Sequence, residues 1–95
     1  MEYIIYKNRI AAVDGGLEVG EATFPTTSEN TCTINHTYVD DRYRGRGIAS
    51  ELVRRAVEEI ERRGYKVEAT CSYALLWLAR NRGCEITSPM ACPTK

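Results

Sequence analysis

The sequence predicts a mixed α+β domain: antiparallel strands at the N-terminus, then a strand–helix–strand unit, then a second helix. Three observations carry that prediction. The first forty residues hold β-rich segments separated by turn signals. The apolar period then becomes helical between Ile48 and Ile60. An alternating segment and another helical one follow before Gly83. A chain of 95 residues has room for one core. Residues 1–95 are therefore read as one domain, with an irregular tail over 86–95.

Tyr3 to Val13 is rich in Ile, Tyr and Val and reads as the first strand, with Lys7-Asn8-Arg9 as an irregularity. Asp14-Gly15-Gly16 is a turn. Leu17 to Phe24 is a second strand, disturbed near Gly20, and Pro25 to Asn30 a polar connection. Thr31 to Val39 alternates as a third strand, with Cys32, Ile34, His36 and Tyr38 on one face and Thr33, Asn35, Thr37 and Val39 on the other.

The first helix follows from the stripe Ile48, Leu52, Val53, Ala56, Val57 and Ile60. Its opposite face offers Glu51/Arg55, Glu58/Arg62 and Glu59/Arg63, each in the favourable Glu-before-Arg order. Gly64 is a plausible stop. Tyr65 to Cys71 alternates as a fourth strand. Ser72 can cap a helix over Tyr73 to about Arg82, which Gly83 ends. A short strand at Cys84 to Thr87 precedes the end of the tail. The third strand, the long helix and the fourth strand form a βαβ unit, so these two strands run parallel. The earlier strands add antiparallel neighbours and make the sheet mixed.

Composition excludes several function classes. Thirteen basic and thirteen acidic side chains cancel, which removes a global attraction to nucleic acid or an anionic membrane. Arg42, Arg44 and Arg46 form a local basic patch. Glu2, Lys7 and Arg9 spoil any signal peptide in the first ten residues, and no apolar run reaches the ~20 residues that span a bilayer. The expected compartment is the cytoplasm. Cys32, Cys71, Cys84 and Cys92 are widely spaced without a Cys-x-x-Cys pair, so neither zinc nor disulfides are expected.

Chemistry concentrates between the third strand and the long helix, at Asp40-Asp41-Arg42-Tyr43-Arg44-Gly45-Arg46-Gly47-Ile48. Gly45 and Gly47 permit backbone angles and close approaches that a Cβ would block. The first helical turn leaves its N–H groups without internal partners, and the helix dipole favours an anion there. Three arginines add charge. A pyrophosphate fits this description. The alternative is an ordinary glycine-rich turn with solvated arginines. No Gly-Lys-Ser/Thr follows, so the loop is not a P-loop. Ser50 stands where the dinucleotide fingerprint needs its third glycine.

The run Arg42-Tyr43-Arg44-Gly45-Arg46-Gly47-Ile48-Ala49, then Leu52-Val53, resembles motif A of the GNAT superfamily of N-acetyltransferases. That pattern is Gln/Arg-x-x-Gly-x-Gly/Ala at the start of the central helix. Ser72 to Glu85 is similar to the family's later helix and its Gly-Phe-Glu ending, with Cys84 in place of the aromatic residue. His36-Thr37-Tyr38-Val39 and Cys71-Ser72-Tyr73 resemble the His-Thr-x-Val and Cys-Pro-Phe/Tyr stretches of its short, single-domain branch. Ser72 replaces the proline, and the tail lacks a His-Pro-Glu-Tyr ending. The resemblance runs from about Arg9 to Arg82.

The resemblance implies a GNAT-like fold and acetyl-CoA as co-substrate. It places coenzyme A pyrophosphate on the Arg42–Ile48 loop, with Ala49 a further cofactor contact, and the thioester in a gap between Thr37–Val39 and Ala69–Cys71. A backbone amide near Tyr38 or Val39 would polarise the thioester carbonyl. His36, the one histidine, is a candidate general base, since imidazole titrates near neutrality; the alternative is a histidine packed on the sheet surface. Cys71, before a helix N-terminus, is a candidate acyl carrier or else a buried apolar thiol. Tyr73 is a candidate acid for the departing thiolate. The implied function is acetyl transfer to an amine on a small molecule or a protein. A short chain leaves the acceptor site open, to be walled by a macromolecular acceptor or a homodimer partner. A non-catalytic coenzyme A-binding module is the second reading. A nucleic-acid module using the arginine patch is the third, disfavoured by zero net charge.

Overall fold

In the computed structural model, which describes residues 1–81, the predicted strand Tyr3–Val13 folds back on itself. Tyr6 N donates to Arg9 O at 2.7 Å and closes a turn, leaving β1 (Glu2–Ile5) antiparallel to β2 (Arg9–Asp14). The polar run Lys7-Asn8 is thus a hairpin turn. Asn8 Nδ2 reaches across to Phe24 O at 3.1 Å. Strand β3 (Leu17–Thr23) pairs with β2 through a bulge: Ala12 faces Gly20 while Val13 faces Glu18, so Val19 is the extra residue.

The connection after Phe24 contains a short strand, β4 (Thr26–Ser28). The predicted strand Thr31–Val39 is broken at Asn35 into β5 (Thr31–Ile34) and β6 (His36–Val39). The halves join different sheets. One sheet has the order β1-β2-β3-β6; the other has β4-β5-β7, with β7 at Lys66–Ala69. The break also changes which face is core. Cys32 and Ile34 belong to the core before Asn35, and Val39 after it. His36 and Tyr38 therefore do not share a face with Cys32 and Ile34, because strict alternation does not survive an irregular residue.

Helix α1 (Ile48–Arg62) buries Ile48, Leu52, Val53, Ala56, Val57 and Ile60 against the sheets, as its stripe predicts. The pairs Glu51/Arg55 and Glu59/Arg63 form. Glu58/Arg62 does not: Glu59 takes Arg62 at 2.6 Å, and Glu58 turns back to Arg54 at 2.8 Å. Gly64, at φ 84, lets Tyr65 N bond to Ile60 O and Gly64 N to Glu61 O, which closes the helix. The crossover brings β7 parallel to β5, with Thr31 opposite Lys66 and Ile34 opposite Ala69.

Strand β7 stops two residues earlier than predicted. Thr70 N and Cys71 N both donate to Ile34 O, so the chain turns there into α2 (Ser72–Asn81). Ser72 is the first helical residue rather than the cap; Leu75 N bonds to Cys71 O at 2.9 Å. Trp77 Nε1 donates to Ser50 Oγ at 3.0 Å and ties α2 to α1. The predicted stop at Gly83, the strand Cys84–Thr87 and the tail 86–95 lie outside the described residues. Among the described residues no helix is long and apolar enough to cross a membrane.

Candidate active site

Parallel pairing between β5 and β7 ends at Ile34 and Ala69. Beyond that point β6 leaves with β3, while the other chain enters α2. A gap opens between them, and a cleft of about 440 Å³ lies on its α1 side. That volume suits a small-molecule ligand. Thr37 and Val39 of β6 form one wall. Tyr43, Arg44 and Gly45 come from the turn, Gly47, Ile48 and Ala49 from the start of α1, and Tyr73 from α2.

The free edge of β6 faces this gap. Asp40 N donates to Val19 O at 2.7 Å, so the Asp40 amide points toward β3. The Tyr38 carbonyl points the same way: a Cβ on Gly20 would lie 2.9 Å from its oxygen. Successive amides along a strand alternate sides. The Val39 N–H therefore points away from β3, into the gap, and the Tyr38 N–H does not. The Thr37 amide shares Val39's direction and reaches the Cys71 sulfur.

The loop's backbone is built as its glycines suggest. Gly45 and Gly47 have φ of 83° and 79°, the left-handed region where a side chain is strained. Gly47 occupies the N-cap of α1 without a side-chain cap, and the first intrahelical bond runs from Glu51 N to Gly47 O. The amides of Ile48, Ala49 and Ser50 thus have no intrahelical acceptor. They open beside the cleft at the positive end of a 15-residue helix.

The arginines contribute less charge than their count suggests. A 3-10 turn at Asp41–Tyr43 is capped by Asp40, whose Oδ1 accepts from Arg42 N at 2.9 Å and Arg42 Nε at 3.2 Å. These bonds, the side-chain one first, hold the Asp40 carboxyl below its ordinary range. Arg44 is paired with Asp41 at 3.1 Å. Arg46 lies over the Tyr43 ring, 5.0 Å from its centre. Tyr43 in turn donates from its hydroxyl to Asp14 Oδ2 at 2.8 Å, which pushes its pKa up.

Cys71 sits at the N-terminus of α2 with its Sγ 3.6 Å from Thr37 Oγ1. Burial pushes the thiol's pKa up. Hydrogen bonding with the Ala74 amide, the Thr37 hydroxyl and the Tyr73 and Thr37 amides outweighs it, and the net direction is down. Cys32 is fully buried in the core. Both cysteines are free, and no metal-ligand cluster occurs among the described residues.

Of the catalytic candidates, Tyr73 lines the cleft and Cys71 adjoins it through Thr37. His36 faces away. It is paired with Thr23 on the opposite side of β6 from Thr37 and Val39, with 54% of its side chain exposed and Nε2 3.8 Å from Glu21 Oε2. Of the cofactor candidates, Val39, Tyr43, Arg44, Gly45, Gly47, Ile48 and Ala49 line the cleft; Tyr38, Arg42 and Arg46 do not. Sequence reading missed Thr37 as a group in its own right, although its place beside Val39 was legible. It also missed Asp14, which read only as part of a turn. A second depression of about 240 Å³ between α1 and α2, lined in part by Ser50, Trp77 and Arg80, adjoins the cleft at Tyr73.

The sequence matches the family model described as GCN5-related N-acetyl-transferase over residues 9–86. No curated protein matches it. Among solved structures, it is similar to a GCN5-like protein from Staphylococcus aureus, at 26% identity and a TM-score of 0.68, over 86% of this chain and 81% of that one. It also resembles the IAA acetyltransferase of Bacillus cereus, at 27% identity and a TM-score of 0.63, covering 78% of this chain and 52% of that one. A third likeness, at 23% identity and a TM-score of 0.61, is to the NatC complex bound to Gag peptide and CoA, over 76% of this chain and 54% of that one. This chain thus spans about half the length of the last two. With the match covering most of its length, and with a helix-terminus cradle opening on a gap between parted strands, the chain belongs to the family of GCN5-related N-acetyltransferases, enzymes that move an acetyl group from acetyl-CoA to an amine.

Proposed function

We propose that this protein transfers acetyl from acetyl-CoA to an amine, with the co-substrate seated in the cleft between β6, the start of α1 and Tyr73. The observation that carries the reading is the direction of the Val39 amide, which points into the gap beside the glycine cradle. In this reading the amides at Gly45–Ser50 hold the pyrophosphate. Val39 N–H donates to the thioester oxygen as negative charge develops there; one such donor is worth about 2.7–4 kcal/mol.

The amine comes from the other face of the sheet, where His36 stands. Its nitrogen bonds to the carbonyl carbon as the carbon–sulfur bond breaks. His36 takes the surplus proton from nitrogen, and the Tyr73 hydroxyl gives one to the departing thiolate. Cys71 offers a two-step route, favoured by its depressed thiol pKa and its place at a helix N-terminus. There the sulfur accepts the acetyl group, coenzyme A leaves as the thiol, and the amine then displaces Cys71.

Steady-state acetyl transfer to a panel of amines, with wild type, His36→Ala and Cys71→Ala, tests the assignment. Loss of turnover in His36→Ala alone supports direct transfer. Loss in Cys71→Ala, with a mass gain of one acetyl group on Cys71 in the wild type, supports two steps. Full rate in both variants sinks both roles. Thermal stabilisation by micromolar coenzyme A is expected, and its absence would sink the cofactor site itself. A cytoplasmic acyl-CoA pool supplies the donor in this reading, which fractionation of expressing cells checks.

A further inference from the structure

Strand β1 is the outermost strand of its sheet, at the opposite edge from β6 and the cleft. One side of its backbone is occupied. Tyr6 N donates to Arg9 O, and the bonding side alternates along an antiparallel strand, so Glu2 and Ile4 turn their N–H and C=O toward β2. The N–H and C=O of Tyr3 and Ile5 point away from the sheet, and no other strand among the described residues takes them up. Open edges are ordinarily blunted by Lys, Pro or a bulge. Between Glu2 and Ile5 β1 has none of these. It presents apolar side chains instead: Ile4 is 39% exposed and Ile5 44%, on opposite faces of the sheet. The Tyr3 ring lies against Arg55 of α1, which puts Tyr3 and Ile5 on the helix face and Ile4 on the outer one. The body of α1 packs chiefly on β2, β3 and β6, which leaves the edge beyond β1 clear of it.

We propose that a second copy of this chain pairs its own β1 antiparallel to this edge, about a two-fold axis at Ile4, and joins the two sheets into one. A row of open backbone donors and acceptors is filled by another strand, and this strand is complementary to itself. In that register Tyr3 of each copy exchanges its backbone bonds with Ile5 of the other, which uses the open groups and disturbs none already bonded. Ile4 meets Ile4 on the outer face. On the helix face Tyr3 meets Ile5, an aromatic beside a β-branched side chain. Glu2 comes opposite Tyr6 and diagonal to Lys7, so the acid of one strand lies near a base of the other copy. Centring the axis on Tyr3 instead would set each Glu2 carboxylate against an Ile4. The interface is isologous, as closed dimers require. A strand pair this short falls at the low end of interface size, about 1,200 Å² or less, so the dimer is weak and reversible. Strands β2 and β3 separate it from β6, and both clefts stay open at the far ends of the joined sheet.

Sedimentation of the full chain from micromolar to millimolar concentration tests this, with amide exchange followed by NMR over the same range. The weight-average mass should rise from monomer toward dimer, and the Tyr3 and Ile5 amides should exchange more slowly as it does. Ile4→Lys sets like charges face to face across the axis and should raise the dimer dissociation constant about tenfold or more. Ile5→Pro removes an outward N–H that no bond within the chain uses, and should do the same. Mixing Ile4→Lys with Ile4→Glu should restore association, because unlike charges then meet at the axis. An unchanged Tm in the variants shows that the monomer fold is intact. A wild type that stays monomeric at millimolar concentration overturns the proposal. So does a dimer that survives both Ile4→Lys and Ile5→Pro, or one in which the Tyr3 and Ile5 amides stay unprotected. A mixture no more associated than its two components overturns the register at Ile4. Each readout is a mass or an amide signal, so the result stands apart from whether the protein transfers acetyl groups.

Discussion

The Tyr43 hydroxyl donates a 2.8 Å hydrogen bond to Asp14, joining the turn before α1 to the β2–β3 hairpin 29 positions earlier in the chain. Tyr43 also lines the cleft and carries Arg46 on its ring. A cradle made of backbone amides has no side chains of its own to hold its shape, so its geometry depends on such braces. Tyr43→Phe and Asp14→Ala should each weaken coenzyme A binding by about tenfold or more, in line with losing one hydrogen bond to a charged group. The double variant should be no worse than either single one, because both remove the same bond. Isothermal titration of the four proteins measures this; additive losses would show that the two residues act independently.

Gly20 answers to a different constraint. A methyl group there would meet the Tyr38 carbonyl oxygen at 2.9 Å and Leu52 Cδ1 at 3.1 Å. The oxygen belongs to backbone paired within the sheet and cannot swing aside as a side-chain end can. Gly20→Ala should cost about 1–3 kcal/mol in stability. That is a fall in Tm of about 4–8 °C per kcal/mol in a domain of this size. The shift should also move the Val39 amide, so kcat should fall more than acetyl-CoA affinity does. An unchanged Tm would mean that β3 and β6 slide apart freely.

Glu59 gives the fold an acid-sensitive joint. Its carboxylate, 8% exposed, accepts from Arg62 Nε at 3.0 Å and Nη2 at 2.6 Å, and from Arg63 Nε at 2.6 Å. Arg63 continues to the backbone carbonyls of Tyr6 and Lys7, so the joint ties α1 to the first hairpin. The Arg62 bonds first, then those from Arg63, hold the Glu59 pKa at about 2, against an ordinary 4.5. A carboxylate depressed in the folded state stabilises fully above its unfolded value. That contribution is lost as pH falls from about 4.5 toward 2. Chemical denaturation at pH 6 and pH 3 should show the wild type losing more stability than Glu59→Gln, which has no proton to take up. Parallel losses would place the acid sensitivity elsewhere.

The long helix and its glycine cradle were legible because both are local. Six apolar residues at helical spacing and two glycines before them act within a few turns of backbone. The fate of Thr31–Val39 was not. Residues on both sides of Asn35 have strand propensity, and only partners distant in sequence, β3 for one half and β7 for the other, decide that they separate. The face assignments of His36 and Tyr38 failed with that break. The arginines show a further limit. Their charge was read from their number, while Asp40 and Asp41, adjacent in the same stretch, take up Arg42 and Arg44. The Asp14–Tyr43 bond has no local signature, since nothing in Asp14-Gly15-Gly16 points to a tyrosine so far along.

Cys71 and Cys32 make an internal comparison for thiol reactivity. Cys32 is fully buried in the core, whereas Cys71 is partly exposed beside Thr37. Burial alone would raise the Cys71 pKa; its hydrogen-bond partners, Ala74 N–H and Thr37 Oγ1 foremost, turn the net shift downward. A thiolate reacts with alkylating agents and a thiol does not, so Cys71 should alkylate faster than Cys32 at neutral pH, and its rate should level off at lower pH than a free thiol's. Thr37→Val removes one hydrogen-bond partner and should move that inflection upward. Saturating coenzyme A should slow the reaction by covering the cleft edge at Thr37. Iodoacetamide labelling with peptide mass mapping, across pH 6 to 9, follows each cysteine by itself. An inflection unmoved by Thr37→Val would assign the thiolate's stabilisation to the α2 amides alone. Failure of coenzyme A to protect Cys71 would separate this thiol from the cofactor cleft and remove the ground for a two-step transfer.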